Sequence, residues 1–119
     1  MTAPAHVLIV EDSEAVASAM RILVEVGGNR VSTAATIAEA LATGTSDPAT
    51  LVLLDITLPD GDGLVLVAPL RAAGAKTVVA LTGHDDPDTR QRCLDAGCDD
   101  VLVKPVPARA LVKRIESWT

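Results

Sequence analysis

Five short apolar runs, separated by stretches with helical periodicity, set the limits on what this chain can become. The runs are HVLIV (6–10), NRVST (29–33), TLVLLD (50–55), KTVVAL (76–81) and DVLVK (100–104). Three of them are rich in Val, Leu or Ile without polar alternation, the pattern of strands buried on both faces of a parallel sheet. The second, RVSTA, is more polar and suits an edge strand. Strand and helix alternating in this way predict a single doubly wound α/β sandwich spanning residues 1–119.

The helix signals between the runs are local and physical. After Asp12 and Ser13, the residues Val16, Met20, Leu23 and Gly27 recur at helical spacing. Thr36 with Glu39 forms a capping box that opens a short helix, and the following ATGTSDPAT (42–50) is expected to be a surface loop. Asp86 and Pro87 supply an N-cap and a first-turn proline, and Gly97 supplies the residue just past the helix end. Pro107 opens a last helix, ARALVKRIESW, with Leu111 and Ile115 inward. From Leu64 to Ala73 the helix pattern is weaker, because Pro69 falls inside it and should kink it.

Composition narrows the function. The net charge is −6 with a pI near 4.7, so nucleic acid and anionic membrane surfaces are poor partners. Phe and Tyr are absent and Trp118 is the one aromatic, which leaves Val, Leu, Ile and Ala to build the core. Cys93 and Cys98 have no metal-ligand spacing and are too few for a disulfide framework, so a reduced, cytoplasmic setting is expected. The first residues, MTAPAHVLIVEDSEAV, lack the basic and apolar regions of a signal peptide. No apolar stretch approaches the length of a membrane span.

The polar residues collect where strands end. Glu11 and Asp12 follow the first run, Asp55 ends the third, Thr82 follows the fourth and Lys104 ends the fifth. In an open parallel sheet, ligands bind beyond the carboxyl ends of the strands. At about 4 Å and an effective dielectric near 20, each pair of like charges on such a rim costs about 4 kcal/mol. A hard divalent cation with oxygen ligands, Mg²⁺, removes that cost. A carboxylate, a cation, a hydroxyl and an ammonium together can take part in phosphoryl transfer onto Asp55.

The segments LIVEDSEAV, LVLLDITLPDGDGL, VVALTGHDD and AGCDDVLVKPV resemble, in order and spacing, the four motif regions of response-regulator receiver domains, over essentially the whole chain. The resemblance implies a flavodoxin-like three-layer fold with five helices and sheet order 2-1-3-4-5. It implies Asp55 as phosphoacceptor, Glu11 and Asp12 as Mg²⁺ ligands (Glu11 largely through water), and the carbonyl of Thr57 as a further ligand. It also implies Thr82 and Lys104 as phosphoryl contacts and a cis peptide between Lys104 and Pro105. Implied partners are a histidine kinase or histidine phosphotransfer protein and a downstream output protein or domain. A homodimer is a further option, with ALVKRIESW as a docking face.

The pattern departs from the family at Val101, where an aromatic switch residue often stands; output must then take another route, with Thr82 and the backbone of Gly83 and His84 as one candidate. Thr57 and His84 occupy the two positions that resemble those tuning phosphoryl lifetime. Either role for His84, tuning group or solvated loop histidine, stays open, and His6 is expected at the surface. Asp60 and Asp62 read as turn and cap residues rather than metal ligands. Two rival functions remain. Haloacid-dehalogenase-type phosphatases share the strand-end Asp, but need a second Asp where this chain has Thr57. A degenerate receiver would act as an interaction module without accepting phosphate.

Overall fold

The structure, a computed structural model, describes residues 5–119. Its parallel sheet contains β1 (His6–Val10), β2 (Arg30–Ala34), β3 (Leu51–Asp55), β4 (Thr77–Thr82) and β5 (Asp100–Val103), in the order β2-β1-β3-β4-β5. The five helices are α1 (Glu14–Val26), α2 (Ile37–Ser46), α3 (Val67–Ala73), α4 (Pro87–Asp95) and α5 (Ala108–Trp118). A short hairpin, Thr57–Leu58 against Gly61–Asp62, follows β3.

Every residue of β1 and β3 is buried, because alternate side chains feed two separate cores. Leu8, Val10, Val52, Leu54, Val78 and Ala80 pack on one face with Leu66, Val67, Leu70 and Cys93. Val7, Ile9, Leu51, Leu53, Val79 and Leu81 pack on the other with Met20, Val24, Leu111 and Ile115. With each fully buried Leu, Ile or Val worth about 1.5–3 kcal/mol, these aliphatic layers hold the sheet without Phe or Tyr. The polar β2 lies at the edge, as its composition indicates, and Arg30 clamps it to the end of α2 through Asp47 (2.5 and 3.1 Å).

Three expectations need correction. Residues 42–46 are not loop: α2 runs on to Ser46. The residues that read as loop are helical because α3 packs there, and a Cβ on Gly44 would stand 2.3 Å from Leu70 Cδ2. The Thr45 and Ser46 hydroxyls donate back to Leu41 O (2.6 Å) and Ala42 O (2.8 Å), so they do not break the helix. Pro69 does not sit inside one long helix. The stretch divides into a 3₁₀ turn, Gly63–Leu66, and α3, which puts Pro69 in the first turn of α3, where a missing N–H is tolerated.

His6 is not a surface residue but 6% exposed. Its Nδ1 donates to Pro48 O (3.1 Å), since a carbonyl can only accept, and its Nε2 is hydrogen-bonded with Ser32 Oγ (2.7 Å). The imidazole thus ties β2 to the α2–β3 connection at the amino end of the sheet. Among the described residues no helix is long and apolar enough to cross a membrane.

Candidate functional site

The carboxyl ends of β1, β3, β4 and β5 meet at one rim, and the register explains why. Asp55 is paired with Leu81, and Thr82 with Val103, so the last residues of β3 and β4 lie one step apart and Lys104 follows directly. The Lys104 N–H donates to Thr82 O (2.7 Å), which prolongs the ladder by one bond. The Lys104–Pro105 peptide is cis. On the other side Glu11 N donates to Ala34 O (2.9 Å), extending the β1–β2 pairing by one residue.

Glu11, Asp12 and Asp55 each bring a carboxylate oxygen within 4.8 Å of the others. Glu11 and Asp55 are buried, whereas Asp12 is exposed. The Lys104 ammonium donates to Glu11 Oε2 (2.5 Å) and to Asp55 Oδ2 (2.8 Å). Ser13 N donates to the other Glu11 oxygen (3.1 Å), and Thr57 N to Asp55 Oδ1 (2.9 Å). Among the described residues the Asp12 carboxylate has no ion-pair partner. Burial pushes Glu11 above the usual carboxylate range, against the opposing pull of Lys104 and Ser13 N. Burial works against the Lys104 charge, but its hydrogen bonds to Asp55 and Glu11 leave it above the usual lysine range.

Three clustered carboxylates facing a single ammonium are an excess of negative charge that a bound cation would balance. The donors are hard oxygens, and the exposed Asp12 leaves room for coordinated water, so the residues fit Mg²⁺. Thr82 is buried and its hydroxyl accepts from His84 N (3.0 Å), with no hydrogen bond to a carboxylate among the described residues. The His84 and Thr57 side chains are exposed beside the rim. Val101 is 4% exposed, paired with Ala80 and packed in the aliphatic core.

Three residues support the site: Gly63, on which the sequence is silent, and Asp62 and Asp60, expected as turn and cap residues but without their partners. A Cβ on Gly63 would lie 2.3 Å from Asp55 O, so only glycine lets the returning chain cross behind the strand-end carboxylate. Asp62 caps the 3₁₀ turn through Leu64 N (2.9 Å) and also accepts from Arg92 of α4 (2.5 Å). Asp60 caps α2, accepting from Ile37 N (2.9 Å) and Ala38 N (3.2 Å). The turn-and-cap reading of PDGDG named the right kind of interaction, but the α2 partner is invisible to spacing.

A five-stranded parallel sheet in this order, with an acidic cluster and a lysine at its carboxyl rim, defines a receiver-type signalling domain. The chain belongs to the response regulator receiver domain family, whose sequence model matches residues 7–116. Among its relatives, the KDP operon transcriptional regulatory protein KdpE of Escherichia coli K12 is 36% identical over 110 residues, covering 92% of this chain and 49% of that protein. The chain spans about half the length of the curated relatives it matches. The CheY-like response regulator receiver domain protein of Methanospirillum hungatei is 31% identical, with a TM-score of 0.88 over 97% of this chain and 93% of that one. The BeF₃-activated receiver domain of RstA from Klebsiella pneumoniae is 27% identical, with a TM-score of 0.85 over 94% and 96%.

Proposed function

We propose that residues 1–119 act as one receiver domain, accepting a phosphoryl group on Asp55 in a Mg²⁺-dependent reaction. A histidine kinase or histidine phosphotransfer protein is the donor, and the phosphorylated domain controls a downstream output protein or domain. The observation that carries this reading is Asp55 at the end of β3, one oxygen held by Lys104 and the other by Thr57 N, beside Glu11 and Asp12.

In the transfer, an Asp55 carboxylate oxygen attacks phosphorus as the bond from phosphorus to the donor nitrogen breaks. The phosphohistidine imidazole leaves, and Asp55 becomes an aspartyl phosphate. Glu11, Asp12, Asp55 and the Thr57 carbonyl are the residues that would hold Mg²⁺, which when bound supplies positive charge to the transferring oxygens. Lys104 is poised to follow those oxygens, because its ammonium already rests on the acceptor. The Thr82 hydroxyl accepts from His84 N, which leaves its own proton free to be donated to a phosphoryl oxygen. The chemistry proposed for this domain is its own phosphorylation and dephosphorylation.

Intact mass after incubation with acetyl phosphate, with and without Mg²⁺, tests the reading. A Mg²⁺-dependent gain of one phosphoryl group, absent in Asp55→Asn, is the expected result. No gain, together with no response to beryllofluoride, would identify a degenerate interaction module instead.

A further inference from the structure

The hairpin after β3 connects the acceptor to two helices through a continuous set of bonds. Thr57 N donates to Asp55 Oδ1 (2.9 Å), and Thr57 and Leu58 pair with Asp62 and Gly61. At the turn, Asp60 leaves the hairpin and grips α2: Oδ1 accepts from Ile37 N (2.9 Å) and Oδ2 from Ala38 N (3.2 Å). Thr36 caps only Glu39 N (3.1 Å), so two further orphan amides of that helix end are satisfied from 22 and 23 residues away. The Ile37 amide, then burial working against it, then the Ala38 amide set the Asp60 carboxyl, which ends below the usual carboxylate range. Gly61, at φ 145°, brings the turn so close that an added Cβ would lie 3.2 Å from Ile37 Cδ1.

We propose that Asp60 is a positioning residue for the cation site, fixing the Thr57 segment by clamping its hairpin to the amino end of α2. This rests on the assignment of the Thr57 carbonyl as a cation ligand in the reading above. A ligand carbonyl on a two-residue strand has little to hold it in place. The hairpin's own ladder is two residues long, too short to be stable alone, and two contacts join it to full helices: the Asp60 clamp to α2 and the solvent-exposed Asp62–Arg92 ion pair to α4. Coupling is reciprocal by thermodynamic necessity. If the clamp aids Mg²⁺ binding, Mg²⁺ binding must strengthen the clamp, and the amino end of α2 then reports whether the cation site is filled.

The test is a Mg²⁺ titration followed by ¹H–¹⁵N amide shifts in wild type, Asp60→Ala, Asp60→Asn, Thr36→Ala and Asp55→Asn. In the wild type the amides of Thr57, Ile37 and Ala38 move with one midpoint. Asp60→Ala raises the Mg²⁺ Kd about fivefold, a modest coupling, and uncouples Ile37 and Ala38 from Thr57. Asp60→Asn falls between, since its one carbonyl oxygen still accepts. Thr36→Ala weakens the same helix end without touching the hairpin and keeps the wild-type Kd. The proposal is overturned if Asp60→Ala binds Mg²⁺ as the wild type does, if Thr36→Ala loses as much, or if Ile37 and Ala38 ignore the titration. A wild-type Thr57 that does not respond, or an Asp55→Asn that binds equally well, would overturn the site assignment itself and the proposal with it.

Discussion

Lys104 divides one ammonium between two carboxylates from different strands, donating to Glu11 at the end of β1 and to Asp55 at the end of β3. The lysine therefore occupies hydrogen-bonding capacity that a cation and a phosphoryl group must share. This makes the resting site a competition between an internal and an external positive charge. Its removal has opposite effects on the two ligands.

Lys104→Met deletes the internal competitor and leaves three carboxylates uncompensated. The variant should bind Mg²⁺ about tenfold more tightly, well short of the roughly 4 kcal/mol of an unscreened pair because the rim is open to water. It should also label more slowly with acetyl phosphate, since the ammonium is absent from the transferring oxygens. Calorimetric titration and intact mass read the two effects separately. Weaker Mg²⁺ binding in the variant would show that Lys104 organises the carboxylates rather than competing for them.

Asp12 is the exposed member of the cluster and, among the described residues, has no ion-pair partner. Asp12→Ala relieves repulsion with Glu11 and Asp55, so without Mg²⁺ it should melt about 2–4 °C higher than the wild type. Added Mg²⁺ should raise the wild-type Tm and leave the variant unmoved, because ligand binding to the folded state alone stabilises it. Paired melts in EDTA and in Mg²⁺ decide the matter; a variant less stable in EDTA would contradict the repulsion argument.

What could be read from the sequence was what depends on short-range pattern. The runs around Leu8, Leu53 and Val79 disclosed buried parallel strands, and Asp55, Thr82 and Lys104 fell at strand ends, where such sheets hold their sites. Predicted and observed strand bounds differ by a residue at β2, β3, β4 and β5, because hydrophobicity does not mark where pairing begins and ends. What short-range pattern could not show in the next three cases is a partner from elsewhere in the chain. Gly44 reads as a loop residue until Leu70 is placed over it. His6 reads as exposed until Ser32 and Pro48 close on it. Asp60 reads as a turn residue until α2 arrives.

His6 gives a prediction remote from the rim. His6→Leu keeps the bulk but leaves Pro48 O and the Ser32 hydroxyl without their partner. The cost should be about 1 kcal/mol, that of lost hydrogen bonds to groups water can still reach in part, since Ser32 is half-buried and Pro48 exposed, measured by urea unfolding. Asp55 lies at the other end of the sheet, so the yield of acetyl phosphate labelling in the folded variant should equal that of the wild type. A stability change within error would mean that water serves these groups as well as the imidazole does.

Cys98 gives the pH dependence. Burial, then the neighbouring Cys93, pushes its thiol from 9.0 up to about 11, while the unfolded chain keeps an ordinary value. Below pH 9 both states hold the proton and this stabilisation is fully present. Between pH 9 and 11 the unfolded state releases its proton and the folded state does not, so unfolding gains and the contribution is lost as pH rises. Two pKa units correspond to about 3 kcal/mol at most. Cys98→Ala has no thiol to ionise, so the wild type's stability relative to this variant should decline between pH 8 and pH 10.5. Urea midpoints for the pair at both values measure the decline, and at pH 8 native Cys98 should react with iodoacetamide only on unfolding. Fast alkylation of the folded protein would show that the thiol is reached without opening the α4–β5 connection.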